Sequence, residues 1–299
     1  MTRSASAVRG QAQDADRFYS QTPGGVFVPR KAVTHRNEEY DEAGFDVLAA
    51  MQQRHFWYRG RHRFLLHAVR RALRSARCSA RDGIDLGGGC GGWVRYLGEK
   101  APGLIQNLAL GDSSLRALDF AAGVVSPAVV RYQVDLLRLE WHSRWDVVFL
   151  LDVLEHIPQD TDALLQIREA LRPGGFLFVT TPALPFFWSY NDDLGGHQRR
   201  YSHADFQQLA SRTGLELCSS PYFMFFLSPL LYLSRLSRHN VRRMSPQDLQ
   251  RLVARSHRVP FPPLNFALSS LFALETPVGH WLPFPWGTSI LGVFRKPPA

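Results

Sequence analysis

Cysteine is scarce in this 299-residue chain, limited to Cys78, Cys90 and Cys218. Three thiols so far apart make neither a disulfide framework nor a zinc site, and no metal centre is expected; they read as reduced thiols in a cytoplasmic protein. Lysine is scarce too. Lys31, Lys100 and Lys296 are the only lysines among 35 Lys+Arg, set against 26 Asp+Glu for a formal charge of +9. A basic balance carried by arginine looks like genomic composition rather than a phosphate-binding surface, so no nucleic-acid partner is expected. Long apolar runs are also missing. Nothing approaches about 18 uninterrupted apolar residues, and the nearest stretch, YFMFFLSPLLYL at 222–233, is broken by Pro229. The opening MTRSASAVRGQAQDADRFYS lacks the apolar centre of a secretory leader. A chain that is 45% hydrophobic at this length still buries a substantial core.

Residues 1–42 are polar and irregular and read as a mobile arm, and 43–80 as an N-terminal helical cap. In that cap Leu65, Leu66, Val69 and Leu73 recur at helical spacing. Nine arginines fall from Arg54 to Arg81 and read as its solvated face. From Gly83 short apolar runs alternate with helical segments. GIDLG, Leu108–Leu110, Val129–Tyr132, DVVFLL at 146–151 and FLFVT at 176–180 are the strands, with helices between them. This rhythm predicts an α/β fold with a doubly wound, mostly parallel, seven-stranded sheet, whose ligands bind at the carboxyl ends of the strands. A sixth strand near 215–220 and a last one at 289–294 complete the sheet. The core thus spans 81–221 and 287–299. Between its parts lies an apolar insertion, 222–286, with helical pieces around Pro229–Arg238 and Pro246–His257, expected to fold over the site as a substrate cap.

GIDLGGGCGG at 83–92 is a strand running into small residues, so something bulky lies against it. Gly87, Gly89 and Gly92 fit the dinucleotide fingerprint, whereas Asp85, Gly87, Gly89 and Gly91 fit a nucleoside-sulfonium loop. Asp112, ending the second strand, suits a ribose in either case. Asp135 after the third strand is placed for an adenine amine. Asp152, Glu155 and His156, in LLDVLEHI, put polar groups where a methyl sulfonium would sit. No second mononucleotide half follows, which disfavours a dinucleotide.

The series DLGGGCGG, GDSS, DLL, DVVFLLDVLEHI and LRPGGFLFVTTPA resembles the class I S-adenosylmethionine-dependent methyltransferases, in particular the bacterial small-molecule branch with LDVLEH and RPGG. The likeness covers 83–182, continues into WSYNDDLGGHQRRYS (188–202), which resembles the H-x-RRY segment of one subgroup, and includes HFWYRGR at 55–61 as an N-terminal cap. The loop departs from the usual G-C-G-x-G in reading Gly87-Gly88-Gly89-Cys90-Gly91. The resemblance implies S-adenosylmethionine as cofactor, held by Asp85, Gly87, Gly89, Gly91, Asp112, Ser113, Asp135, Leu136 and Asp152. Trp57, Tyr58 and Arg59 are expected to close over its methionine end.

Methyl transfer to a small-molecule acceptor, acidic or partly apolar, of natural-product or cell-envelope metabolism is the expected activity. His197, His156 and Asp193 are the candidate catalytic residues; Arg199, Arg200, Tyr201 and Trp188 are candidates for the acceptor. A structural alternative stands beside them, with Asp192 or Asp193 pairing with Arg200 to fix a lid. For the insertion three roles stay open: substrate cap, homodimer interface and peripheral membrane contact. Two other functions remain, an NAD-linked oxidoreductase using the same glycines and a non-catalytic S-adenosylmethionine-binding scaffold.

Overall fold

The computed structural model describes residues 18–33, 45–76, 80–234 and 258–298, with isolated positions between 244 and 252. Its strands are β1 (Tyr19–Gln21), β2 (Val26–Pro29), β3 (Ala80–Leu86), β4 (Ile105–Asp112), β5 (Val130–Gln133), β6 (Trp145–Leu151), β7 (Leu171–Pro182), β8 (Glu216–Ser219), β9 (Tyr222–Phe223) and β10 (Ser289–Arg295). They form one sheet in the order β1-β2-β5-β4-β3-β6-β7-β10-β8, with β9 against β10. Strands β2 to β7 run parallel, and β10 lies antiparallel between β7 and β8. The order reverses at β3, which opens a crevice between β3 and β6 at their carboxyl ends.

DVVFLL is apolar throughout because both faces of β6 are covered. Val148 and Leu150 pack into one core with the helix Asp160–Ala170 (α5) and the helix His203–Thr213 (α7). Val147, Phe149 and Leu151 pack into the other with the helices Phe56–Ser75 (α2) and Gly92–Lys100 (α3). The remaining helices are α1 (Phe45–Arg54), α4 (Leu115–Ala121), α6 (Tyr190–Leu194), α8 (Ser228–Ser234) and α9 (Pro262–Trp281).

Two expectations change. Residues 1–17 lie outside the described region, but the rest of the expected arm includes a hairpin, β1–β2, joined to the sheet by β2 on β5. Pro23-Gly24-Gly25 between two short apolar runs was its signal. In the insertion, the expected helix Pro246–His257 lies largely outside the described residues, whereas α9 was not expected. Helix α9 packs on the outer side of α2. They meet where Phe272 lies against Gly60, so closely that a Cβ on Gly60 would come 1.9 Å from the Phe272 ring. None of the described residues of 222–286 lines the cleft at the strand ends.

Candidate active site

A cleft of about 1070 Å³ opens at the carboxyl ends of β3, β4, β5 and β6. Its floor is the loop after β3. Gly87 (φ 69°) and Gly89 (φ 53°) adopt the left-handed region that L side chains avoid. Asp112 fixes this loop from the end of β4, since Oδ2 accepts from the Gly89 N–H (2.8 Å) and Oδ1 from the Ser114 N–H (2.9 Å). Asp112 also lines the cleft. Beyond β5, Asp135 Oδ1 accepts from the Leu137 N–H at 3.0 Å, and Asp135 and Leu136 line the far wall.

Asp85, at the end of β3, is buried and its Oδ1 has no hydrogen-bond partner. Burial pushes its carboxyl up to about 8 against the opposing pull of Arg61. Seven of the fourteen buried side-chain polar atoms without a partner, among the described residues, belong to residues lining this cleft: Gln52, Arg61, Asp85, Trp93, Glu155 and His156, with Glu155 supplying two. Buried polar atoms are otherwise bonded, so the concentration marks where a polar ligand belongs.

From α2, Tyr58 and Arg61 face the cleft, and Arg61 pairs with Asp152 at the end of β6. The guanidinium lies over the Trp57 and Tyr58 rings at 4.9 and 5.1 Å, and burial pushes the Tyr58 hydroxyl up to about 12. Asp152 holds φ 56°, a strained conformation for a non-glycine. Arg59 is not in the cleft. Helical spacing explains the correction: positions 57 and 58 share a face with 61, four and three residues on, while 59 points elsewhere. Arg61 was expected among solvated arginines and is 5% exposed.

The turn Leu154–His156 and the segment after α6 also line the cleft. Glu155 is fully buried, and neither oxygen bonds another residue. Desolvation, reinforced by Asp152, holds its carboxyl well above the usual range. Burial and His197 push His156 down to about 4. The His156 and His197 rings meet edge to face at 4.8 Å. Asp192, fully buried, takes His197 Nδ1 at 2.9 Å and the Arg200 fork at 2.7 and 2.9 Å, and it also accepts from Ser189. These partners hold its carboxyl below the ordinary range despite burial. Glu155, His156 and His197 bring one ligand atom each within 4.8 Å of one another, a donor set that can take a divalent cation where the sequence suggested no metal.

Several candidates are reassigned. Arg200 is committed to Asp192 and to the Ala183 carbonyl (3.0 Å), which favours the structural pairing over an anion clamp. Arg199 binds Asp160 (2.8 Å) and the Pro158 carbonyl outside the cleft. The Tyr201 hydroxyl donates to Asp160 Oδ2 at 3.0 Å and is buried as a strut. Trp188 lies outside the cleft and donates to Asp193 Oδ1 (3.2 Å) at the rim, which leaves Asp193 a rim residue. Gly91 (φ 77°) begins α3 against Val125, where a Cβ would come within 2.4 Å, so its glycine serves packing rather than a ligand. Sequence reasoning missed Arg61, Gln52, Met51 and Trp93. Only Trp93 and Arg61, next to motif residues, carried any signal.

Residues 52–220, more than half of the chain, match a family described as "Methyltransferase domain". A ubiquinone biosynthesis O-methyltransferase of Nitrosospira multiformis is 30% identical over 112 residues, 36% of this chain and 46% of the relative, so the match spans less than half of that protein. Among solved structures, a methyltransferase in complex with the Trm112 activator of Haloferax volcanii superposes with a TM-score of 0.54 at 16% identity, covering 88% of this chain and 99% of that one. A phosphoethanolamine N-methyltransferase of Haemonchus contortus, in complex with S-adenosyl-L-methionine, has a TM-score of 0.53 at 18% identity, covering 91% of this chain and 62% of that one. At these identities the structures share the fold.

Proposed function

The chain belongs to the methyltransferase domain family, and on that premise we propose that it moves a methyl group from S-adenosylmethionine to the oxygen or nitrogen of a small, partly apolar acceptor. The observation that carries the reading is one cleft lined by two unlike groups of residues. Left-handed glycines with Asp85 and Asp112 form one group, and Glu155, His156 and His197 form the other.

The residues fit the cofactor. Asp112 and the glycine backbone take a ribose and let a nucleoside lie close, Asp135 and Leu136 suit the base, and the orphaned Asp85 Oδ1 suits an ammonium group. Bound there, S-adenosylmethionine supplies a methyl on a sulfonium, already open to in-line displacement. The chain therefore has to orient the acceptor and manage its proton. Tyr58 and Arg61 line the same cleft.

His197 is the base. Its Nδ1–H donates to Asp192, which fixes the tautomer and leaves Nε2 to accept the acceptor's proton. His156 stays neutral at neutral pH and offers Nδ1 as an acceptor, while burial beside Asp152 favours the protonated form of Glu155. With Arg199 and Arg200 committed elsewhere, the acceptor is one that brings an O–H or N–H rather than an anion. The oxidoreductase alternative would need a second nucleotide half, which the sheet lacks among the described residues.

The test uses S-adenosylhomocysteine and NAD in parallel titrations, then labelled methyl transfer to a panel of phenols and amines. His197→Gln should keep homocysteine-analogue affinity and lose about 10²–10⁴ in kcat. Unchanged kcat with a bound acceptor removes His197 from the base role. Binding without turnover on any acceptor leaves the scaffold reading.

A further inference from the structure

We propose that the insertion carrying α8 and α9 docks the protein on the surface of an anionic lipid bilayer. The inference stands apart from the methyl-transfer reading and rests on how α9 is turned. Its inward stripe is largely polar, with Asn265, Ser269, Glu275 and Thr276 buried beside Phe272 and Gly279. Its outward stripe is apolar, with Leu264, Phe266, Leu271, Leu274, Val278 and Trp281 all exposed, Phe266 at 71%, Leu274 at 68% and Trp281 at 85%.

Specific bonds hold the helix this way round. Asn265 accepts from the Phe56 N–H (2.8 Å) and donates to the Arg54 carbonyl (2.8 Å). Arg63 donates to the Ser269 carbonyl at 2.7 Å. Glu275 Oε2 accepts from the Phe226 N–H at 3.0 Å. Rotating α9 to hide its apolar stripe would strip these buried groups of their partners, a heavy penalty. The apolar face therefore stays outward by construction. Twelve of the eighteen exposed large apolar side chains among the described residues fall between Phe226 and Trp286. Such a concentration marks a contact surface.

Charge selects the occupant. The chain linking α8 to α9, residues 235–258, holds seven arginines against one acid, Asp248. Anionic headgroups neutralise that excess of positive charge, whereas a second copy of the insertion carries the same excess. Helix α9 carries one charged residue among Asp, Glu, Lys and Arg, Glu275, and it is buried, so no flanking charges exist to register a helical partner. Trp281 and Trp286, both exposed, suit the headgroup level. No helix among the described residues is long and apolar enough to cross a membrane, so the contact is lateral. Helix α2 contacts α9 through Gly60 and Arg63 and the cleft through Tyr58 and Arg61, which puts the lipid face one helix away from the cleft.

The test is co-sedimentation of the full chain with phosphatidylcholine vesicles and with vesicles of roughly one-third phosphatidylglycerol. The protein should partition onto the anionic vesicles and bind the neutral ones, or either in high salt, at least about tenfold more weakly. Leu274→Glu with Trp281→Glu should cut anionic binding by more than about tenfold. The melting curve and S-adenosylhomocysteine titration of that variant should match the parent, and Phe266→Glu serves as a second variant. No partition onto anionic vesicles, or a variant that sediments like the parent, overturns the proposal. So does a lipid-free dimer in light scattering that the same substitutions split, which would assign the face to a second copy.

Discussion

At the carboxyl ends of β3 and β6, polar atoms are buried with nothing to bond; along α9, apolar side chains meet water while Asn265, Ser269 and Glu275 turn inward. Both regions depart from the ordinary distribution of polar and apolar groups, in opposite directions. The polar groups under α9 are mostly satisfied, Asn265 and Glu275 by backbone partners and Ser269 by the Arg63 guanidinium, so they are structural. Those in the cleft are left open, at one oxygen of Asp85 and at both of Glu155. A folded chain tolerates such groups where a partner arrives later, and the kind of orphan names the kind of partner: a small polar ligand inside, an extended apolar surface outside.

The largest effect expected from breaking this contrast is at Asp112. Its two oxygens satisfy the Gly89 and Ser114 N–H groups, and removing them leaves two donors without that acceptor. Asp112→Ala should cost roughly 2–5 kcal/mol of stability and weaken S-adenosylhomocysteine at least about hundredfold, since loop and ribose lose the same carboxylate. Calorimetric titration beside a thermal melt reads both. If affinity survives, Asp112 only supports the loop and the cofactor lies elsewhere.

Much of the floor was legible because it rests on local rules. Strand periodicity, a glycine run and acids at strand ends specify β3 to β7 and place Asp85, Gly87, Gly89, Asp112, Asp135 and Asp152 on one cleft. What sequence missed depends on rotation and on contacts distant in the chain. Arg61 looked like one more surface arginine until α2 was rotated against β6 and its Asp152. Arg199 and Tyr201 read as acceptor ligands because nothing local shows that Asp160 already holds them, whereas the pairing of Arg200 with Asp192 stood among the sequence readings. Helix α9 was illegible for a different reason: with its polar residues inward and Pro277 inside, it inverts the amphipathic pattern by which a helix is recognised.

A pair of glycines separates ligand contact from packing within the loop itself. The sequence motif treats Gly89 and Gly91 alike, yet a Cβ on Gly89 would meet only Leu48, at 3.8 Å, and one on Gly91 would strike Val125 at 2.4 Å. Gly89→Ala should therefore cost about 1–2 kcal/mol from its left-handed backbone, with S-adenosylhomocysteine weakened about tenfold or more by the methyl on the open side. Gly91→Ala should cost roughly 2–4 kcal/mol, adding overpacking to the same backbone strain, with affinity nearly kept once the protein is folded. Equal losses of affinity in both would return Gly91 to the cofactor site.

The smallest effect is a pH slope, and it asks whether the Asp85 orphan is real. Burial lifts this carboxyl from 3.8 to about 8, so across that window the folded protein keeps a proton that the unfolded chain releases. The folded state binds more protons there, and the Asp85 contribution to stability falls as pH rises through the window. Asp85→Asn removes the proton and keeps the shape. The melting temperature of the variant minus that of the parent should therefore climb by a few degrees, roughly, between pH 5 and pH 8. Glu155, His156 and His280 are also shifted by burial, but the difference between two proteins at each pH cancels their share. Saturating S-adenosylhomocysteine should flatten the difference, because an ammonium beside the carboxylate makes its charge tolerable in the fold. Parallel curves without ligand would mean that Asp85 already has its partner in the free protein. The polar half of the contrast would then rest on Glu155 and His156 alone.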